Sequence, residues 1–312
     1  MNPSPVNPNA TPKARALLQY LYEISGTTTL SGQHNTPAHA AQYNEQAEAI
    51  TGKYPSVWGQ DFGFSTGDDM DSVLFRPAII AEAKRQYAAG SIVTLMWHAV
   101  RPIEDEPGTF SDNVQGKVTD TEWLDLVTPG TAIHTRWLGQ ADVIAGLLAD
   151  LRDAGIPVLW RPYHEMNGNW FWWGQRTGPD GYTALWRQMY DLFVNVHRLD
   201  NLLWVWNANA PNGAHVLPYE ACYPGPETVD ILATDIYHNN YHQSFYDDLV
   251  ALADGKPVAL GEVGQVPTPE ILEAQPRWAW FMIWTNFLTK GNTPEAVRAL
   301  FDSPRVLSRP AA

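Results

Sequence analysis

The chain has 312 residues, 45% of them hydrophobic and 17% charged, with a formal net charge of −14. That balance excludes extensive disorder and supplies a sizeable core, while the excess of acid without a basic stripe excludes a phosphate-backbone binder. A single cysteine, Cys222, excludes an internal disulfide framework, and no apolar run is long enough to span a membrane.

The leader MNPSPVNPNATP, residues 1–12, has neither a charged start nor an apolar segment, so it carries no signal-peptide pattern. It reads as a flexible tail, with one domain expected over 13–312. From there, eight short β-rich runs follow in order: 27–33, 56–62, 91–98, 156–164, 201–208, 229–237, 256–263 and 278–284. Helical patterns lie between most of them, among them 71–89, 133–154, 181–197 and 244–253. The runs are apolar on both faces, as parallel strands covered on both sides should be. Eight strands interleaved with helices, without a composition break, predict an α/β fold, a single (β/α)₈ TIM barrel. An open doubly wound sheet would more naturally place a glycine-rich phosphate loop after the first strand, and Ser31-Gly32-Gln33-His34-Asn35 is not one. Two connections are long, 99–130 and 209–228, and such excursions usually dress the active face.

A barrel enzyme carries its chemistry at the C-terminal ends of its strands. Polar and titratable residues collect there: Gln33, His34 and Asn35; Gln60 and Asp61; Trp97 and His98; Arg161, His164 and Glu165; Asn207; Asp235 and Tyr237; Glu262; Trp284. The fourth run opens into WRPYHEMNGNWFWWG, residues 160–174, which suggests zinc at first sight. A zinc helix needs a second histidine four positions after His164, where Gly168 stands, and Asn167-Gly168-Asn169 is turn chemistry. Asp68, Asp69 and Asp71 likewise lack the alternating ligand spacing of a calcium loop and suit a helix start. No metal and no cofactor is expected.

Glu165 and Glu262 remain, on the fourth and seventh runs, across one barrel mouth. Two facing carboxylates suit retaining glycoside hydrolysis, one protonating the leaving oxygen and one attacking the anomeric carbon, at ~5–5.5 Å separation. Like charges that close raise one pKa, which supplies a protonated acid near neutral pH.

The segment Arg161-Pro162-Tyr163-His164-Glu165-Met166-Asn167-Gly168, followed by Trp170-Phe171-Trp172-Trp173-Gly174, closely resembles the acid/base segment of glycoside hydrolase family 26, best known for β-mannanases. Ser31 to Asn35 and Gly261-Glu262-Val263-Gly264 resemble the same family, in the same order along the chain. The resemblance implies a retaining (β/α)₈ hydrolase with Glu165 as general acid/base and Glu262 as nucleophile. It implies Arg161 and Tyr237 as the residues that hold and ionise the nucleophile, and His164 in the place before the acid that an asparagine takes in most of the clan. His98 and Trp284 resemble the floor and wall of the subsite where the sugar is attacked, Trp170 the platform on the leaving side, and Trp123 a residue lining the cleft from the loop after the third strand. Fourteen tryptophans against ten phenylalanines suit sugar faces, which lie flat on aromatic rings.

Plainer roles suit other residues. His34 reads equally as a core histidine, Asp61 and Asp235 as caps or arginine partners, and Trp160, Trp204, Trp206 and Trp280 as packing. The expected function is a retaining endo-β-1,4-mannanase acting on mannan, galactomannan or glucomannan. A β-1,3-xylanase or mixed-linkage β-glucanase of the same family is the alternative, or, in a different class, an inactive carbohydrate-binding protein. The expected partner is a polysaccharide, not nucleic acid or membrane. The chain is expected to be monomeric and secreted or surface-displayed, because polymers do not enter cells.

Overall fold

The structure is a computed structural model and describes residues 3–64 and 72–309. Its elements run α1 (Pro12–Ile24), β1 (Thr29–His34), α2 (Gln42–Thr51), β2 (Val57–Asp61), α3 (Arg76–Ala88), β3 (Ile92–Trp97), α4 (Asp120–Val127), α5 (Ala132–Asp153), β4 (Val158–Pro162), α6 (Tyr182–Asp191) and β5 (Leu202–Asn209). They continue with β6 (Ile231–Ile236), α7 (Gln243–Ala253), β7 (Val258–Val263), α8 (Pro269–Ala274), β8 (Trp278–Ile283), α9 (Phe287–Lys290), α10 (Pro294–Asp302) and β9 (Val306–Leu307). Strands β1 to β8 pair in sequence, all parallel, and β1 bonds both β8 and β2, so the sheet closes into the expected (β/α)₈ barrel. The short β9 adds in parallel to β1. The acidic run at 67–71 and the expected helix start at Asp71 lie outside the described residues.

Local chemistry starts the helices. Thr11, Thr268 and Thr293 each accept a backbone N–H from three residues on and are followed by Pro12, Pro269 and Pro294, whose fixed φ suits a first helical position. Thr119 and Glu122 form a full capping box on α4.

Alternation along the strands places the site. Leu30, Val57, Leu159, Leu203, Val205, Ile231, Ala233 and Ala259 form one apolar cluster in the barrel's interior, while Trp58, Trp160, Leu202, Trp204, Trp206 and Leu232 belong to the other, outside it and under the helices. One or two more steps along the interior parity bring His34, Asp61, Arg161, Asn207 and Asp235 inward at the top, all buried. The barrel is therefore apolar below and polar above. Trp160, Trp204, Trp206 and Trp280 are packing residues, each at most 1% exposed.

The leader departs from the expectation of a free tail. From Val6 on it lies against the barrel: Asn7 is fully buried and donates to Asp200 Oδ1 at 3.0 Å, and Val6 N–H donates to Asp230 Oδ1 at 2.7 Å. Tyr190 Oη donates to the Val6 carbonyl at 2.8 Å. Ala10 then joins Ala14, Leu18, Leu21 and Ile24 of α1 in the interior cluster, closing the lower end of the barrel. A polar, proline-rich composition resembles coil, but here its polar groups find buried partners. Among the described residues no helix is long and apolar enough to cross a membrane.

Candidate active site

β4 ends at Pro162, and the chain then turns sharply, with Tyr163 (φ 47°) and Glu165 (φ 53°) in the left-handed region. That conformation costs a non-glycine residue on the order of 1–3 kcal/mol, so the surroundings must enforce it. Glu165 N–H donates to the Asn207 carbonyl at 2.7 Å, and the Glu165 carbonyl accepts Gly168 N–H at 2.9 Å. The turn brings Trp170 back over Glu165, and the indole Nε1–H donates to Glu165 Oε2 at 2.6 Å. Gly168 makes this possible, since a Cβ there would stand 2.2 Å from the Trp170 ring. Trp172 and Trp173 are buried struts, donating to the Ala99 carbonyl at 2.8 Å and the His164 carbonyl at 2.7 Å.

The second carboxylate sits on β7. The β6–β7 register slips between Thr234↔Leu260 and Asp235↔Glu262, so Gly261 is an extra residue, and such a bulge re-aims the side chain that follows it. A Cβ at Gly261 would lie 1.6 Å from Asn207 Oδ1. Glu262 Oε1 accepts from Arg161 Nη2 at 2.7 Å and Oε2 accepts from Tyr237 Oη at 2.7 Å. His164 Nε2 lies 3.5 Å from Oε1.

His98, just past β3, is held by Asp61: its backbone N–H donates to Asp61 Oδ1 at 3.0 Å and its Nδ1 makes a short bond to Oδ2. The His98 and His164 rings meet edge to face at 4.5 Å, and Trp284 closes the far side, stacked on His34 at 4.3 Å. His98, His164, Glu165, Trp170, Tyr237, Glu262 and Trp284 all line one cavity of about 550 Å³. Arg161 lies beneath it, 3% exposed, against Glu262 and 3.5 Å from Asp235 Oδ2.

Trp123 is the exception. It does not line the cavity; its ring packs 6.2 Å from Trp172 under the Arg176 guanidinium, and its Nε1–H donates to the Asp180 carbonyl at 2.8 Å. The capping box at Thr119 starts α4 so that Trp123 and Leu126 turn inward together. The cavity also has walls that the sequence did not reveal, notably Phe110, Gln115, Phe171, Asn209, Asn212 and His238. Phe171 adjoins the strand-four motif and was within reach, whereas the loop residues carry no motif.

Burial, and then the charge of Glu262, push Glu165 up to about 8, partly offset by the Trp170 hydrogen bond. Burial, with His98 and Arg161 nearby, holds His164 well below the usual imidazole range, so it is neutral. Burial takes the His34 imidazole down to about 3. Asp235 is raised by burial and by Glu262 against the opposing pull of Arg161. His164, Asp235 and Glu262 each offer an atom within 4.8 Å of one another, a possible metal set among the described residues. The Arg161 guanidinium already bonds Glu262 and faces Asp235, so a dication there would meet a fixed positive charge; the group reads as an ion-pair network.

A sequence profile described as glycosyl hydrolase family 26 matches residues 6–310. A mannan endo-1,4-beta-mannosidase of Thermothelomyces thermophilus is 36% identical over 99% of this chain, which spans 63% of that protein's length. Among solved structures, GH26A from Muricauda sp. MAR_2010_75 is 46% identical with a TM-score of 0.93, covering 97% of this chain and 98% of that one. The beta-mannanase from a symbiotic protist of the termite Reticulitermes speratus, complexed with gluco-manno-oligosaccharide, is 30% identical with a TM-score of 0.84, covering 99% and 98%.

Proposed function

The chain belongs to glycosyl hydrolase family 26, and from that premise we propose that it is a retaining endo-β-1,4-mannanase, with Glu165 as general acid/base and Glu262 as nucleophile. The observation that carries this reading is the pair of glutamates facing one cavity in opposite surroundings. Glu262 takes two strong donors, one on each oxygen, while burial and the charge of its neighbour keep a proton on Glu165.

In the first step Glu262 attacks the anomeric carbon as Glu165 protonates the departing glycosidic oxygen, giving a glycosyl ester on Glu262. Esterification removes the charge that helped to hold the Glu165 proton. The Glu165 pKa therefore falls, and its carboxylate can take a proton from water, whose oxygen attacks the anomeric carbon and releases Glu262. Trp170 and Trp284 offer flat faces to sugar rings, and neutral His164 adds no second positive charge beside Glu262, whose counter-ion is Arg161.

Mannans as substrates are supported by the names of the relatives, a mannan endo-1,4-beta-mannosidase and a beta-mannanase bound to gluco-manno-oligosaccharide. A polymeric substrate places the enzyme's action outside the cell. The test is new reducing ends from galactomannan, glucomannan, β-1,3-xylan and mixed-linkage β-glucan, with Glu165→Gln and Glu262→Gln alongside. Cleavage confined to the mannans, falling by several orders of magnitude in both variants, is expected. Cleavage of xylan or mixed-linkage glucan alone would overturn the substrate while keeping the mechanism; full activity in either variant would overturn its assigned role.

A further inference from the structure

Asn167 stands two residues beyond Glu165, is fully buried and does not line the cavity. Its amide pairs with the backbone of Asn209 in both directions: Nδ2 donates to the Asn209 carbonyl at 2.8 Å, and Oδ1 accepts Asn209 N–H at 2.8 Å. The same Nδ2 donates to the Leu217 carbonyl at 2.9 Å, and the Asn167 carbonyl accepts Leu217 N–H at 2.9 Å.

These bonds lie where regular pairing has ended. The β4–β5 ladder stops at Trp160↔Trp204, yet β5 runs on to Asn209. Beyond that point its buried edge on the β4 side grips the acid-bearing turn twice, at Asn207 through Glu165 N–H and at Asn209 through the Asn167 side chain. Between the two grips Glu165 sits at φ 53°. An amide side chain completes one rung of a ladder that the left-handed turn has broken. A buried, fully paired amide is also costly to replace, because each partner left alone keeps its desolvation penalty.

We infer that Asn167 is a positioning residue for the general acid. It fixes the turn that aims the Glu165 carboxyl, and through Asn209 and Leu217 it locks that turn to the loop carrying the Asn209–Asn212 wall of the cavity. It touches no substrate; it sets where the proton is delivered.

The inference rests on the reading of Glu165 as the acid, and the test separates the two. Asn167→Asp, Asn167→Ala and Glu165→Gln are compared with the parent on two substrates sharing the glycone of the polymer cleaved. One carries a 2,4-dinitrophenolate leaving group, which departs without a proton; the other carries a sugar, which needs one. A misplaced acid lowers kcat/KM on the sugar-leaving substrate by at least about tenfold while leaving the aryl substrate within about threefold. Both values come from the same sample, so the fraction folded cancels in their ratio. Asn167→Asp keeps the acceptor for Asn209 N–H and serves if the alanine variant folds poorly. A split in either Asn167 variant, in the direction of the larger split in Glu165→Gln, supports the inference. Equal losses on both substrates, or none, in both variants overturn it; no split in Glu165→Gln overturns the acid assignment instead.

Discussion

Glu165 and Glu262 face one cavity but are held in contrasting ways. Glu262 lies on a strand, aimed by a bulge, with a guanidinium on one oxygen and a tyrosine hydroxyl on the other, both at 2.7 Å. Glu165 lies on a left-handed turn, with a neutral indole N–H on one oxygen and the Asp235 carboxyl as a further, weaker partner. The same side chain is thus given an environment suited to charge in one place and one suited to a proton in the other. The division of labour proposed for the pair rests on the donors, not on the carboxyls.

Removing those donors should erode the contrast in proportion to their strength. Arg161→Met takes the cation from Glu262 and from Asp235; kcat/KM should fall by about 10²–10³-fold and the folded state should lose about 3–5 kcal/mol, read by steady-state kinetics and denaturant unfolding. Glu165→Gln should act on stability in the opposite sense. Between its ordinary 4.5 and about 8, folded Glu165 keeps a proton that the unfolded chain releases, so this group makes stability fall as pH rises through that window. The Gln variant escapes that loss, gaining up to roughly a few kcal/mol near pH 8 and nothing near pH 4, in paired melting curves. Tyr237→Phe removes one hydroxyl from Glu262 and should lower kcat by about tenfold with KM little changed. Smallest of all, Trp170→Phe removes a bond that lowers the Glu165 pKa; the alkaline limb of the kcat/KM profile should move to higher pH, and a shift downward would contradict the assignment.

Much of the fold and of the site is legible in the chain itself. The strand bodies announce the barrel, and the polar residues that end them are those that the interior parity delivers to its upper mouth. Glu165, Glu262, His98, His164, Tyr237 and Trp284 meet in one cavity because each ends a strand or follows it within a few residues, and the turn after β4 brings Trp170 back to join them. Trp123 departs from expectation because a helix that caps itself decides which way its side chains turn, and strand periodicity says nothing of that. Phe110, Gln115 and Asn212 come from long connections whose path depends on tertiary partners, His238 follows β6, and Asn209 ends β5 in the grip of the Asn167 amide. The leader misleads for a related reason: Asn7 and Val6 look like coil until Asp200, Asp230 and Tyr190 are set beside them.

The fourteen tryptophans give the molecule an optical consequence. All of them fall among the described residues, and thirteen are buried, leaving Trp170 as the one with substantial exposure. Most of the fluorescence therefore comes from indoles that neither solvent nor ligand reaches, a steady blue background. Against it stands a single indole whose N–H is bonded to Glu165, the group that titrates near 8. The ionisation of the acid should thus be written into the emission of the tryptophan beside it, and a sugar lying on that ring should be seen in the same light.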